Sequence, residues 1–321
     1  MTIRSYWQLD VAADPRRSEA GVRSSQGDTL FRDVRTGALN RYDYYAQVGQ
    51  AAAQTAFDGL FLPYRPESDD SRIVAAAIAR EVPKLALVPE FPAWVGSAVY
   101  AAKQAVSFQR LAHERLGWAI APAPDAGTRA GDGDHVSEDE LAQRTEEFLT
   151  VARGAHGQRP FSFAGSHFEV QGGGFEPPLD RVAFPQVFLQ GETEEALTQS
   201  ARLADVHLFR PASLPALRSL TERLDALALR EGRSVAFGLI QPVLAREDAE
   251  EARQDARRAG VGEGTLIGDY AEVAARLADL AAIGITHFVL IATPSLEEAY
   301  RVGQHVLPRF RARTETVRAA A

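Results

Sequence analysis

Gly264-Thr-Leu-Ile-Gly-Asp269 runs into Tyr270-Ala-Glu-Val-Ala-Ala-Arg-Leu-Ala-Asp-Leu-Ala-Ala282, then Gly284-Ile-Thr-His-Phe-Val-Leu-Ile291, then Pro294-Ser-Leu-Glu-Glu-Ala-Tyr-Arg301. The first long piece repeats its apolar residues at helical spacing. The second is a short continuous apolar run, too short for a helix and suited to a strand buried on both faces. The third reopens a helical pattern just after a proline. The reading is therefore helix, buried strand, closing helix.

The same rhythm extends toward the N-terminus. Strands are expected over 3–9, 59–63, 85–90, 116–121, 186–190, 206–209, 234–244 and 287–291. Helices are expected over 42–56, 70–80, 97–113, 137–153, 194–203, 214–231, 248–258, 271–282 and 295–310. Each strand is followed by a helix, with two after the seventh, which implies a parallel sheet with helical crossovers. Eight such units in 321 residues fit a closed α/β (β/α)8 TIM barrel in a single domain, 1–321, ending in a short tail over 312–321. A doubly wound open sheet is the competing architecture, but no Gly-x-Gly-x-x-Gly follows the first strand.

Three segments break the rhythm. Residues 12–40 form a polar insertion, 125–134 a Gly/Asp-rich loop, and 161–178 a hairpin with a glycine-rich return. The first two follow strands, and so belong at the C-terminal face of the barrel, where active sites of this architecture sit.

Composition removes whole classes of function. With 35 basic and 43 acidic residues the net charge is −8, which leaves no electrostatic footprint for nucleic acid or an anionic membrane. There is no cysteine, hence no disulfide, thiolate nucleophile or Cys-held metal. The seven histidines show no metal spacing, and the acidic run 131–140 lacks the EF-hand frame, so no metal is expected. No Walker or Gly-x-Ser-x-Gly motif occurs. The N-terminus lacks the apolar stretch of a signal peptide and no segment has transmembrane length, so a cytoplasmic location is expected.

Several segments in order resemble the bacterial luciferase-like flavin monooxygenases, above all the alkanesulfonate monooxygenase subgroup. They are Ala51-Ala-Ala-Gln-Thr-Ala-Phe-Asp-Gly-Leu-Phe-Leu-Pro63, Gly165-Ser-His-Phe-Glu-Val-Gln-Gly172, Phe184-Pro-Gln-Val-Phe-Leu-Gln-Gly191, Ala204-Asp-Val-His-Leu208 and Leu296-Glu-Glu-Ala-Tyr-Arg301. The resemblance implies a (β/α)8 barrel that binds reduced FMN, or in some branches a deazaflavin, delivered by a separate flavin reductase. It implies oxidation of a small organic substrate by dioxygen. It further implies association into a homodimer, or pairing with a second luciferase-like chain.

The resemblance also marks departures. Where the family carries an Arg and a His on its seventh strand, this chain has Ile240 and Pro242. A family Tyr and His after strand eight become Thr293 and Ser295, a Cys after strand two becomes Ser68, an Asn on strand four becomes Ala119, and a phosphate-binding Tyr becomes Ala142. The phosphate-binding Gly-Ser-Ser becomes Gly191-Glu192-Thr193, and the insertion after strand seven is nearly absent between Arg258 and Gly264. Two functional classes stay open. One is an FMN-dependent monooxygenase. The other is a catalytically degenerate homologue, serving as a partner subunit or a flavin- or ligand-binding protein, in which flavin need not be bound at all.

From the residues themselves, Gly191 and Thr193 precede a helix whose free N–H groups suit an anion, and are the candidate cofactor contacts. Glu192 between them opposes one. Tyr64, Arg65, Arg210 and Thr293 follow strands two, six and eight and are the candidate substrate contacts, the arginines because their planar fork of donors suits an acidic group. Asp10 and Glu90 end strands one and three and are the expected partners of those arginines. No catalytic residue is assigned.

Overall fold

Period-two alternation in short apolar runs builds a closed ring of strands. The structure is a computed structural model that describes residues 2–10, 41–94 and 96–320. The insertion expected over 12–40 lies outside the described residues. The strands are β1 (Arg4–Gln8), β2 (Gly59–Leu62), β3 (Ala86–Phe91), β4 (Gly117–Ile120), β5 (Phe161–Ala164), β6 (Glu169–Gly173), β7 (Gln186–Gln190), β8 (Val206–Phe209), β9 (Ala236–Arg246), β10 (Leu266–Asp269) and β11 (Ile285–Ile291). β1, β2, β3, β4, β7, β8, β9 and β11 pair in parallel in that order, and β11 returns to β1. The expected eight-stranded barrel is the observed one.

The helices are α1 (Arg41–Gln54), α2 (Ser71–Glu81), α3 (Ala98–Leu111), α4 (Ala126–Gly131), α5 (Leu141–Gly157), α6 (Glu194–Leu203), α7 (Leu214–Arg230), α8 (Ala249–Ala259), α9 (Tyr270–Ala282), α10 (Ser295–Arg301) and α11 (Leu307–Ala320). Their starts are written in the sequence. Asp70, Ser97, Thr193, Ser213, Asp248 and Asp269 each accept a backbone N–H of the first turn, and Asp269 with Glu272 closes a full capping box. Among the described residues, no helix is long and apolar enough to cross a membrane.

Two apolar layers result. Tyr6, Phe61, Val88, Phe188, Leu208 and Val289 fill the inside of the barrel. Their strand neighbours, such as Trp7, Leu62, Leu87 and Leu189, face the helices in the larger outer core. Small residues make room for large ones: a Cβ on Gly59 would lie 2.7 Å from the Tyr6 ring. Each fully buried Phe or Leu contributes roughly 1.5–3 kcal/mol, so the two layers hold the ring closed without ligand.

The structure differs from the sequence reading in four places. Leu266–Asp269, read as a lead-in to a helix, is a ninth parallel strand, β10, laid against the extension Val243–Arg246 of β9. The Gly/Asp-rich loop contains α4, because Asp125 caps it through Gly127 and Thr128. The helix expected from 137 begins as a 3-10 turn, Glu138–Glu140, before α5. The last helix passes through a π-helical turn, Val302–Val306, and continues to Ala320 where a tail was expected. The shortened insertion is the turn after α8: Gly260, left-handed at φ 58°, caps the helix and the chain enters β10 within a few residues.

Candidate functional site

Glu90 stands at the C-terminal end of β3. Val88, two residues before it, belongs to the barrel interior, while Leu87 and Phe91 face the helices, so the alternation points Glu90 inward. It is 5% exposed. One carboxylate oxygen accepts the backbone N–H of Tyr64 at 2.9 Å, and the other accepts Nε2 of Gln190 at 2.5 Å, across from β7. The Ser71 hydroxyl donates to its backbone carbonyl and fixes the strand end to α2. Burial pushes the Glu90 carboxyl up to about 6, against the Tyr64 N–H, the charges of Arg65 and Arg210, and the Gln190 amide.

The sequence-predicted substrate contacts surround this group unevenly. Arg65 is half exposed, and its Nε lies 3.4 Å from Asp10, one of the two expected partners of the mouth arginines. Arg210, exposed after β8, acts on Glu90 through its charge. Tyr64 is partly buried, its ring edge-on to Trp94 at 5.8 Å and its hydroxyl 3.3 Å from Asp132. Burial and then Asp132 raise the phenol. Thr293 is exposed just after β11. Its neighbour Ser295 is occupied, accepting the Trp7 indole N–H at 2.9 Å.

The sequence-predicted cofactor contacts form the turn from β7 into α6. Gly191 adopts φ 137°, and a Cβ there would lie 2.6 Å from that of Ala196, so no other residue fits. Thr193 spends its hydroxyl oxygen on the Ala196 N–H at 3.2 Å. A cavity of about 180 Å³ lies beside this turn, lined by Ala121, Ala142, Thr145, Gln190, Thr193 and Glu195 among others. Gln190 joins it to Glu90. A larger groove on the barrel flank, lined by α2 and α3, shares none of these groups.

A flavin would meet two different environments here. The isoalloxazine edge carries both donors and acceptors, and Gln190 and Glu90 supply an amide and an ionisable carboxyl that match it. Its phosphate would meet Glu192, Glu194 and Glu195, all exposed at the start of α6, with Glu194 paired to Arg223 at 2.5 Å. Gln190 and Glu90 suit the ring edge in chemistry, and the phosphate is poorly served. The sequence reading named Glu90 only as an arginine partner. Its end-of-strand position was visible, but its burial and its bond to Gln190 were not.

Residues 18–263 match the family model described as luciferase-like monooxygenase. Among solved structures, the chain is similar to a riboflavin lyase, RcaE, with modified FMN and its substrate riboflavin: TM-score 0.79, 18% identity, 98% of this chain and 92% of that one. EDTA monooxygenase, EmoA, from Chelativorans sp. BNC1 gives TM-score 0.78 and 17% identity over 98% and 94%. The oxygenating constituent of 3,6-diketocamphane monooxygenase from Pseudomonas putida, in complex with FMN, gives 0.71 and 13% over 96% and 99%. At these identities the likeness to the solved structures is one of fold.

Proposed function

This chain belongs to the luciferase-like monooxygenase family, and on that premise we propose that it is an oxidoreductase that oxidises a small organic substrate with dioxygen and reduced FMN. In this reading a separate flavin reductase supplies the FMN, and the sequence resemblance favours the alkanesulfonate monooxygenase branch. The observation that carries this reading is the polar C-terminal end of the barrel, above the layer of Tyr6, Phe61, Val88 and Phe188. Glu90 and Gln190, bonded at 2.5 Å, face inward at the C-terminal mouth with Arg65 and Arg210 beside them. A carboxyl buried at the mouth on two neutral donors costs stability, and a perturbed carboxyl at that face is the pattern of a functional site.

When bound, reduced flavin supplies the two electrons of the oxidation. The chain's own groups orient and shield the reactants: Gln190 and Glu90 meet the polar ring edge, Arg65 and Arg210 attract an acidic group of the substrate, and Tyr64 with Trp94 walls one side. The protein is read as a cytoplasmic, single-domain homodimer.

The second reading, a degenerate subunit or flavin-binding protein, draws on Ile240, Pro242 and Ala119, apolar residues at the β9 and β4 positions where the resembling family carries polar groups. Titrating the purified protein with oxidised and photoreduced FMN by calorimetry separates the two. Monooxygenase function requires binding of reduced FMN and, with a reductase, NADH and dioxygen, substrate-dependent product from a panel of small sulfonates, sulfones and alkanes. Absence of flavin binding in either redox state refutes the enzyme reading, and binding without any turnover moves the chain to the second.

A further inference from the structure

Four described carboxylates are buried, and three of them plainly hold the chain together. Asp134 lies between Arg129 and Arg144, and Glu298 between Arg246 and Arg301. Glu147 takes the backbone N–H groups of Ser166, His167 and Phe168 and so fastens the β5–β6 hairpin to α5. Glu90 is different. It is tethered by two neutral donors, one at each oxygen. A carboxylate offers about four lone-pair sites, so roughly half of its acceptor capacity is unfilled. It is also the one of the four that ends a barrel strand at the mouth.

The groups around it explain why its carboxyl is pushed up. Arg65 faces it from the end of β2 but shares its charge with Asp10, and Arg210 faces it from the end of β8. Gln190 on β7 and Ala119, its register partner on β4, bring no charge. Ser71 at the start of α2 binds only the backbone carbonyl. Burial therefore outweighs the charges of Arg65, shared with Asp10, and of Arg210, and pushes the carboxyl up to about 6. That is the range in which an acid is both protonated often enough and acidic enough to work at neutral pH.

We propose that Glu90 is the catalytic acid of this chain, oriented by the Gln190 amide and the Tyr64 N–H, and that it gives its proton to the oxygen atom that leaves the reaction as water. The inference rests on the monooxygenase reading above. In that reaction the bond between the two oxygens of dioxygen breaks, one oxygen joins the substrate, and the other departs and takes the Glu90 proton. Reduced flavin supplies two electrons and two hydrogens. Its oxidation returns a proton to the Glu90 carboxylate. Substrate, dioxygen and reduced flavin thus become oxygenated product, oxidised flavin and water, and Glu90 ends as it began.

The test compares wild type with Glu90→Gln and Gln190→Leu. FMN is titrated calorimetrically at pH 6 in phosphate and in a buffer of high ionisation heat, which reads proton exchange on binding without any turnover. Photoreduced FMN is then mixed with aerated buffer and the panel of small sulfonates, sulfones and alkanes in the presence of each protein, and formation of oxygenated product is followed from pH 5.5 to 8. Wild type should exchange a fraction of a proton on binding and should slow as pH rises through about 6, as a general acid must.

Glu90→Gln, nearly the same shape, should bind FMN within about threefold of wild type, exchange no proton, and form oxygenated product roughly 10²-fold more slowly with a flat profile. Gln190→Leu should keep the profile but move its midpoint upward, because a donor to the carboxylate is lost. If Glu90→Gln binds FMN and retains the wild-type rate and pH profile, the inference is wrong while the monooxygenase reading stands. If wild type binds no FMN, that reading falls and takes the inference with it. Should Glu90→Gln fail to fold, an unmoved midpoint in Gln190→Leu overturns the proposal by itself.

Discussion

Replacing Glu192 with serine removes one of three carboxylates from the start of α6 and restores the small hydroxyl residue that the resembling family carries there. Glu194 is already neutralised by Arg223, so Glu192 and Glu195 are the charges a phosphate at this turn would meet. Glu192 is exposed, so a water-like dielectric applies. At about 6 Å, a doubly charged phosphate and a carboxylate repel by roughly 1.4 kcal/mol, which screening at physiological salt cuts to about 0.7 kcal/mol. The helix N-terminus offers about 0.3–1 kcal/mol in return, so one carboxylate is enough to cancel it.

Glu192→Ser should therefore tighten FMN binding about threefold in physiological salt and up to roughly tenfold in low salt, at 1.4 kcal/mol per factor of ten. Riboflavin, which has the same ring and no phosphate, should be unaffected. The assay is flavin fluorescence quenching with both ligands at two salt concentrations. Equal responses of FMN and riboflavin, a gain that ignores salt, or sub-micromolar FMN binding by the native protein would each refute the repulsion argument.

Stability should respond to pH through the buried groups. Glu90 sits above its ordinary value, so its neutral form favours the fold; the benefit is full below about 4.5 and is lost as pH rises through about 6. Between pH 4.5 and 8, urea denaturation of Glu90→Gln should gain about 2 kcal/mol on wild type, and parallel curves would contradict the burial argument. His207 and His287 move the other way: burial, joined at His287 by Arg4, lowers each to about 4. Their contribution is intact above pH 6.5 and should fall by about 3 kcal/mol each as pH drops to 4. Acid melts of His207→Gln and His287→Gln should be flatter than wild type, and unchanged slopes would show that the rings ionise in place. Glu147→Ala frees the three N–H groups of Ser166, His167 and Phe168. Their hydrogen exchange should accelerate about 10- to 100-fold, at 1–3 kcal/mol for the lost partners, and unchanged protection would mean that β5 and β6 hold themselves.

The barrel was legible in the sequence because its causes are local. Eight short apolar runs, helical periods between them and Asp, Ser or Thr caps at helix starts depend on neighbours a few residues away. The hairpin, expected within 161–178, followed from the same reading, whereas which arginine Asp10 meets did not. β10 escaped it because Leu266–Asp269 is a strand only by virtue of an edge that β9 extends to Arg246. α4 escaped because its glycines read as a loop until Asp125 is seen to hold them. Glu90 shows the limit most clearly. Its place at the end of a strand is a local fact, but its burial, its tie to Gln190 one hundred residues later and the charges of Arg65 and Arg210 exist only when the ring closes. Strand and helix patterns follow from local periodicity, whereas the ionisation of a carboxyl depends on solvent exclusion and on charges from distant strands, which only the tertiary structure brings together.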